Sequence, residues 1–163
     1  MSKFEEGIKF IEGSCGNGKD NVICLSTIAM EASADGSPRP YSRDVDAFYE
    51  DGVFYITANA KSTKMQQIAA NKNVAFSVNF NGITGNGTGE NLGWVLDPKN
   101  AELRIKLRKA FADWYDIANN EQDENAIILA VHITKATVNY DHGAVYYNLD
   151  FINKIEGDEA KNR

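Results

Sequence analysis

The chain has 163 residues, 43% of them hydrophobic, which suits one compact domain or a subunit that shares its core with a partner. A net charge of −6 and a pI near 4.9 disfavour a broad basic surface, so we expect no nucleic-acid partner. Cys15 and Cys24 are too few and too far apart for a zinc cluster or a disulfide framework, so we expect reduced thiols in a cytoplasmic protein.

The first segment, "MSKFEEGIKFIEG", predicts an amphipathic helix over 2–13, with Phe4, Ile8 and Ile11 on one face. It lacks the apolar run of a signal peptide. No stretch of the chain approaches the roughly twenty apolar residues that a membrane span needs. We therefore expect no contact with a membrane.

The glycines that follow this helix, "GSCGNGKD" from Gly13, have the spacing of a phosphate-binding P-loop. Asp20, however, stands where the magnesium-binding Ser or Thr belongs. The predicted strand also follows the glycines, whereas in a P-loop the strand precedes them. We assign no nucleoside triphosphate site here.

The next segments predict a meander of strands. "VICLSTIAM" is a buried strand, "ADGSP" is a turn and "RPYSRDVDAFYE" is extended. The pair Asp51-Gly52 predicts a two-residue hairpin into the strand "VFYITAN". A short helix, "STKMQQIAAN", leads into the strand "NVAFSVNF", whose alternation predicts one buried face formed by Val74, Phe76, Val78 and Phe80.

In the second half, the many glycines of "NGITGNGTGENLG" predict a loop. "DPKNAELRIKLRKAFADWYDIANN" predicts one long helix whose core-facing stripe contains Leu103, Leu107, Ala110, Phe111 and Trp114. A strand pair, "AIILAVHITKATVNYD" and "VYYNLDFINK", follows around the turn Asp141-His142-Gly143. We expect one domain over 1–155 and a frayed polar tail over 156–163.

Several kinds of site find no support in the sequence. The glycines from Gly85 lack the spacing and context of a dinucleotide fingerprint. His132 and His142 are the only histidines and have no carboxylates at metal-ligand spacing, so we assign no metal. No nucleophile elbow or Cys/His arrangement is present. The catalytic residues are therefore left unassigned.

The residue types at the start of the short helix are the strongest functional signal. Lys61, Ser62, Thr63 and Lys64 crowd a position where unpaired backbone N–H groups already carry partial positive charge. Two further ammonium groups cost free energy there unless an anion lies among them, and a phosphate would fit. The alternative is a solvated turn with a Ser N-cap and exposed lysines.

Taken together, "PYSRDV", "VFYITANAKSTKMQQIAANKNVAFSV", the acidic and basic helix and the terminal strand pair resemble the pyridoxamine 5'-phosphate oxidase-like family of flavin-binding split barrels. The resemblance covers about Val22 to Ile152. It implies a mainly β fold with flanking helices: a six-stranded antiparallel split β-barrel of the FMN-binding type. It also implies that "GITGNGTGENL" is a barrel strand, contrary to its composition.

The resemblance also implies a site. In the family, an Arg, a Thr and a Ser-x-Lys pair hold the FMN phosphate and ribityl chain, and by position these are Arg43, Thr57, Ser62 and Lys64, with Lys61 and Thr63 in support. Val45 and Ile56 would line the flavin ring, while Asn79 and Asn81 would meet its pyrimidine edge or face solvent. Asp44 departs from the apolar or Pro residue of relatives, and either weakens phosphate binding or points away.

The function implied is an FMN-dependent oxidoreductase, a homodimer with the flavin at its interface, which passes electrons from a reduced donor to a small acceptor. The alternatives are a non-catalytic flavin-binding or stress-related module, and a barrel that binds haem, deazaflavin or nothing. True oxidases of the family grip pyridoxal with a further Arg- and His-bearing segment, whereas after Tyr140 this chain offers only His142, Lys154, Lys161 and Arg163. We expect no useful oxidase activity on pyridoxamine phosphate.

Overall fold

The computed structural model describes residues 1–157, and most of them belong to one antiparallel sheet. Its strands are β1 Asn21–Ile28, β2 Pro40–Glu50, β3 Val53–Asn59, β4 Asn73–Val78, β5 Ile83–Trp94, β6 Ala126–Tyr140, β7 Val145–Asp150 and β8 Ile155–Glu156. The helices are α1 Lys3–Cys15, α2 Thr63–Ala70, α3 Ala101–Ala110 and α4 Tyr115–Ala118. Two short 3₁₀ turns lie at Pro98–Asn100 and Asp141–Gly143.

The sheet closes on itself. Its strand order is β3-β2-β1-β4-β5-β6-β7-β8, and an additional β3–β6 pairing joins the first six strands into a barrel. β7 and β8 extend the sheet beyond β6. The predicted six-stranded antiparallel barrel with flanking helices is confirmed.

The barrel is nevertheless split between β2 and β3. These two strands pair only near their hairpin, from Phe48 opposite Tyr55 to Glu50 opposite Val53. Beyond that point β2 continues on β1 alone and β3 continues on β6 alone within residues 1–157. The two strands therefore diverge, and the backbone groups along their facing edges are left available to a ligand.

The main core fills the barrel and is sealed by α1. Ile23, Leu25 and Phe54 are fully buried, and Phe54 packs edge-on against Phe76 with the ring centroids 5.2 Å apart. Ile11 and Cys15 of α1 belong to the same cluster. The predicted helix over 2–13 is thus present and runs two residues further, because its last turn packs on the barrel.

The outer face beside the split is covered by the segment between β5 and β6. The apolar cluster there comprises Phe48, Val95, Leu107, Phe111, Tyr115 and Ile128. The prediction of one long helix over 97–120 is wrong, because α3 ends at Ala110 and α4 starts only at Tyr115. At the break, Trp114 stacks on Phe111, with the centroids 4.7 Å apart, and these tertiary contacts outweigh helix propensity.

The glycine-rich segment is a strand, so the prediction of a loop from its composition is wrong and the strand implied by the resemblance is confirmed. Gly85 and Gly87 allow the backbones of β5 and β6 to approach each other closely. A Cβ on Gly85 would lie 2.2 Å from the carbonyl oxygen of Lys135, and one on Gly87 would lie 2.4 Å from that of His132. The β5–β6 register shifts between Asn86 and Gly87, which is a β-bulge.

Two local predictions, the hairpin and the buried face of β4, have clear outcomes. Asp51 and Gly52 have φ values of 48° and 79°, so the two-residue hairpin is confirmed. Val74, Phe76 and Val78 face the core, but Phe80 does not: β4 ends at Val78, and Phe80 lies in the following turn with 98% of its surface exposed.

The prediction of a frayed tail from Glu156 onwards is wrong for Glu156 itself, because this residue of β8 pairs with Leu149 of β7. The tail's residues 158–163, including Lys161 and Arg163, lie outside the described part of the chain.

Candidate functional site

A cleft of about 460 Å³ opens at the split of the barrel. One side is formed by residues 44–46 of β2 and the other by residues 56–59 of β3. Lys64 of α2 lies at one end, and Trp114, Ala118, Asn119, Asn120 and Asp123 form an outer wall. A volume of this size is typical of small-molecule and cofactor sites.

The structure brings five of the predicted site residues to this cleft: Asp44, Val45, Ile56, Thr57 and Lys64. They come from two strands and a helix, which meet because β2 and β3 leave the same hairpin and α2 follows β3 directly. The Asp44 side chain is exposed, whereas the side chain of Ile56 belongs to the barrel core.

The turn between β3 and α2 is shaped by Asn59. The backbone N–H of Lys61 donates to Asn59 Oδ1 at 2.9 Å, and that of Ser62 donates to the Asn59 carbonyl oxygen at 2.9 Å. Lys61 and Thr63 are left exposed. These contacts place Ser62 at the N-cap of α2.

Ser62 has the backbone of a capping residue but does not cap. Its φ and ψ are −64° and 156°, yet its side chain makes no capping hydrogen bond. Its Oγ is buried and has no hydrogen-bond partner among the described residues. A buried hydroxyl without a partner costs free energy, so this atom marks a place where a ligand could bind.

Arg43 lies next to the cleft and is held from inside the barrel. Its Nη1 donates to Thr27 Oγ1 at 2.8 Å and to the Leu25 carbonyl oxygen at 3.2 Å, while its Nη2 donates to Gln67 Oε1 at 2.9 Å. Burial lowers the pKa of the Arg43 guanidinium. Sequence reasoning missed Thr27 and Gln67, although Thr27 is a polar residue at an inward position of β1 and so carried a signal.

Lys64 is partly buried and has neither an ion pair nor a hydrogen bond within residues 1–157. Its pKa is lowered by burial and, to a smaller extent, by the charge of Arg43. Other partly buried cations within residues 1–157 are paired: Arg104 and Arg108 both bind Glu121. Arg43 and Lys64 thus form a cationic pair without a carboxylate partner in the described part of the chain.

The opposite part of the cleft is acidic. Burial, followed by the charge and the hydrogen bond of Asp20, raises the pKa of Asp46 to about 6. Asp20 in turn accepts a hydrogen bond from Trp114 Nε1 at 2.9 Å. Sequence reasoning missed this group, because its members come from three distant segments and the local pattern indicates only a core position for Trp114 and a departure from the P-loop motif for Asp20.

Asn79 and Asn81 lie away from the cleft, beyond the end of β4. The N–H of Asn79 donates to the Val22 carbonyl oxygen at 3.1 Å, and Asn81 Nδ2 donates to Ser14 Oγ on α1 at 3.0 Å. Neither residue lines the cleft.

Within residues 1–157, no group of three or more His, Cys, Asp or Glu side chains is placed to hold a metal ion, and His132 contacts Glu90 at 2.9 Å. None of the helices in this part of the chain has the length and hydrophobicity needed to cross a membrane.

No protein-family model matches the sequence, and no curated protein matches it. Solved structures do match. A Clostridium acetobutylicum protein related to general stress protein 26, of the pyridoxinephosphate oxidase family, is 14% identical, with a TM-score of 0.59 and coverage of 94% of this chain and 99% of that one. A FAD-binding protein of Mesorhizobium loti is 17% identical, with a TM-score of 0.54 and coverage of 79% and 90%.

A third solved structure, a heme binding protein of Mycobacterium smegmatis, is 12% identical, with a TM-score of 0.61 and coverage of 92% of this chain and 58% of that one. At such identities the likeness concerns the fold. The chain therefore has the fold of the pyridoxamine 5'-phosphate oxidase-like split barrels, as the resemblance in its sequence implied.

Proposed function

We propose that this chain binds FMN, with the phosphate at the start of α2 and the ring in the cleft between β2 and β3. The observation that carries the proposal is the pair of partly buried cations, Arg43 and Lys64, which lack a carboxylate partner in the described residues and accompany the buried Ser62 hydroxyl without a partner. A phosphate monoester would supply the missing charge and the missing hydrogen-bond acceptors.

The free-energy argument favours an anion. Two neighbouring cations that are partly removed from water repel each other and lose hydration. A phosphate dianion reverses both effects through charge-assisted hydrogen bonds, which are about twice as strong as neutral ones. The first N–H groups of α2 add their partial positive charge. No carboxylate among the described residues pairs with either cation otherwise.

The remaining residues fit the rest of the cofactor. Val45 and Ile56 flank the split, Thr57 offers a hydroxyl, and the edges of β2 and β3 offer backbone groups that no strand pairs there within residues 1–157. Bound FMN would supply electron-transfer chemistry. The chain's own residues would hold the phosphate, orient the ring and exclude water from one of its faces.

We further propose that the protein acts as an oxidoreductase, in which a reduced donor passes electrons through the flavin to a small acceptor, and that a second copy of the chain covers the open side of the cleft. The fold is shared with a protein described as FAD-binding, which supports a flavin. It is also shared with a heme binding protein, so haem is the rival ligand for the same cleft.

The phosphate contacts can be tested by titrating FMN and riboflavin into the wild type and into Arg43→Ala and Lys64→Met. Each substitution removes a charge-assisted contact, so FMN binding should weaken by about 1.5–3 kcal/mol. Riboflavin, which has no phosphate, should change little. Lys72→Met, which removes an exposed lysine just after α2, is the control. Equal losses for the two ligands would contradict the assignment of the phosphate site.

The nature of the cofactor and the occurrence of turnover need a second experiment. Flavin bands in the visible spectrum of the purified protein, or after addition of FMN, are expected. A Soret band would favour haem, and a colourless protein that ignores FMN would overturn the proposal. Bleaching of the flavin by NADH or NADPH distinguishes an oxidoreductase from a module that only binds flavin.

A further inference from the structure

The side chains that hold Arg43 form a buried polar cluster behind the cationic pair. Thr27 is 1% exposed and Gln67 is 4% exposed, and the Thr27 hydroxyl donates to Gln67 Oε1. The same Oε1 accepts from Arg43 Nη2 at 2.9 Å, and Thr27 Oγ1 accepts from Arg43 Nη1 at 2.8 Å. One amide and one hydroxyl thus fix the guanidinium at two of its nitrogens.

Every acceptor in this cluster is neutral. Besides Gln67 and Thr27, Arg43 donates to the carbonyl oxygens of Leu25 and Tyr41, at 3.2 and 3.4 Å. A carboxylate at position 67 would satisfy the same donors and would also cancel the positive charge. Elsewhere the chain does use carboxylates for this purpose, since Lys106 binds Glu50 at 2.8 Å.

Gln67 also connects two parts of the candidate site. It lies on α2, one turn after Lys64 and on the helix that Ser62 begins, while Arg43 lies on β2. The hydrogen bond between Gln67 and Arg43 therefore ties the guanidinium to the helix whose N-terminus carries the other phosphate contacts. An arginine fixed in this way loses less side-chain entropy when it binds an anion.

We propose that Gln67 is a positioning residue that selects phosphorylated ligands: with Thr27 it orients the Arg43 guanidinium and, being uncharged, leaves its positive charge available to a phosphate monoester. The inference rests on the proposed FMN function and adds to it the residue that determines the preference for the phosphorylated form.

Gln67→Glu tests this proposal. The change keeps the shape of the side chain, and Gln67 Nε2 makes no hydrogen bond within residues 1–157, so no contact described there is lost. The new carboxylate pairs with Arg43 and repels phosphate. We expect FMN affinity to fall at least tenfold, riboflavin affinity to change less than twofold, and the thermal midpoint of the unliganded protein not to fall.

Ala69→Glu is the matched control, because it adds the same charge on the exposed side of the same helix. It should reduce FMN affinity less than threefold. If Gln67→Glu does not fold, Gln67→Met tests the proposal instead. A decrease of threefold or more in the preference for FMN over riboflavin supports the proposal, and an unchanged preference overturns it.

The outcomes separate this inference from the function on which it rests. If the wild type binds FMN no more tightly than riboflavin, the phosphate site itself is wrong. If the wild type prefers FMN and Gln67→Glu keeps that preference, the phosphate site stands and the role of Gln67 is overturned. If Gln67→Glu lowers the affinities for both ligands equally, Gln67 has only a structural role.

Discussion

At the scale of single residues, the charged side chains around the cleft differ in their electrostatic partners. Arg43 and Lys64 have no counter-charge among the described residues, whereas Asp46 lies against a second carboxyl group, that of Asp20. Removal from water and the neighbouring acid both favour the protonated form of Asp46. The Arg43 and Lys64 part of the site is therefore suited to an anion, whereas the Asp20 and Asp46 pair is not.

The raised pKa of Asp46 predicts a pH dependence of stability. The folded-state pKa is about 6, against an ordinary value of 3.8 for an aspartate, so the folded protein binds this proton more tightly than the unfolded chain does. This contribution to stability is fully present below the lower value and is lost as the pH rises through about 6. Asp46→Asn should remove the loss and stabilise the protein at neutral pH by on the order of 1 kcal/mol, after allowance for solvent screening.

Urea denaturation at a series of pH values would measure this effect. Asp44→Asn is the control, because it removes an exposed carboxylate two residues away on the same strand. If the wild type and Asp46→Asn lose stability in parallel between acid and neutral pH, Asp46 is not the group responsible.

At the scale of elements, β5 shows that a glycine-rich sequence can form a strand when neighbouring strands and side chains pack close to its backbone. Gly85, Gly87 and Gly89 lie where β6 carbonyl oxygens and core side chains leave no room for a Cβ. Because β5 and β6 share the longest ladder of the barrel, this contact contributes to closing it. The glycines therefore have a packing role here, in addition to their cost in backbone entropy.

Gly85→Ala should consequently destabilise the protein. The added Cβ would meet the Lys135 carbonyl oxygen at 2.2 Å and the Phe76 ring at 2.7 Å, and neither can move without disturbing the barrel. We expect a loss of about 2 kcal/mol or more in the free energy of unfolding, measured by chemical denaturation.

The matched control for this change is Gly13→Ala. Its Cβ would have no atom within 4 Å, and Gly13 lies inside α1, so the free energy of unfolding should rise by roughly 0.5–1 kcal/mol. Similar effects of the two substitutions would show that backbone entropy, and not the close approach of β5 to β6, explains the glycine at position 85.

At the scale of the whole molecule, the proposed dimer accounts for apolar side chains that the single chain leaves exposed. Val22 on β1, Met30 just after it and Tyr41 on β2 are 41%, 66% and 49% exposed. They belong to the hairpin that carries one side of the cleft. A second copy packed near this hairpin would bury them and would cover the open side of the bound ring.

Addition of FMN should therefore strengthen self-association. A ligand held at a subunit interface binds the dimer and not the monomer, so it shifts the equilibrium towards the dimer by mass action. We expect sedimentation velocity to show a dimer at micromolar concentration, and the dimer to persist at lower concentration when FMN is present. A monomer mass both with and without FMN would contradict a shared site.

Much of the architecture was predictable from local sequence. The buried strand β1, the alternation in β4, the Asp51-Gly52 turn and the amphipathic N-terminal helix each depend on neighbours within about ten residues, and each is present. The concentration of cations and hydroxyls at the start of α2 was visible for the same reason. Predictions from local sequence were wrong where a tertiary contact between distant residues competes with helix propensity. One example is Trp114, whose hydrogen bond to Asp20 accompanies the break between α3 and α4.

The sequence by itself therefore determined the strands other than β5 and β8, the hairpin and the charged turn. The tertiary structure decided which of these residues meet: it opened the split between β2 and β3, placed Gln67 and Thr27 around Arg43, and brought Asp20 to Asp46. The physical reason is that these contacts depend on strand register and on barrel closure through β3 and β6, which are set by the summed burial of side chains far apart in the chain.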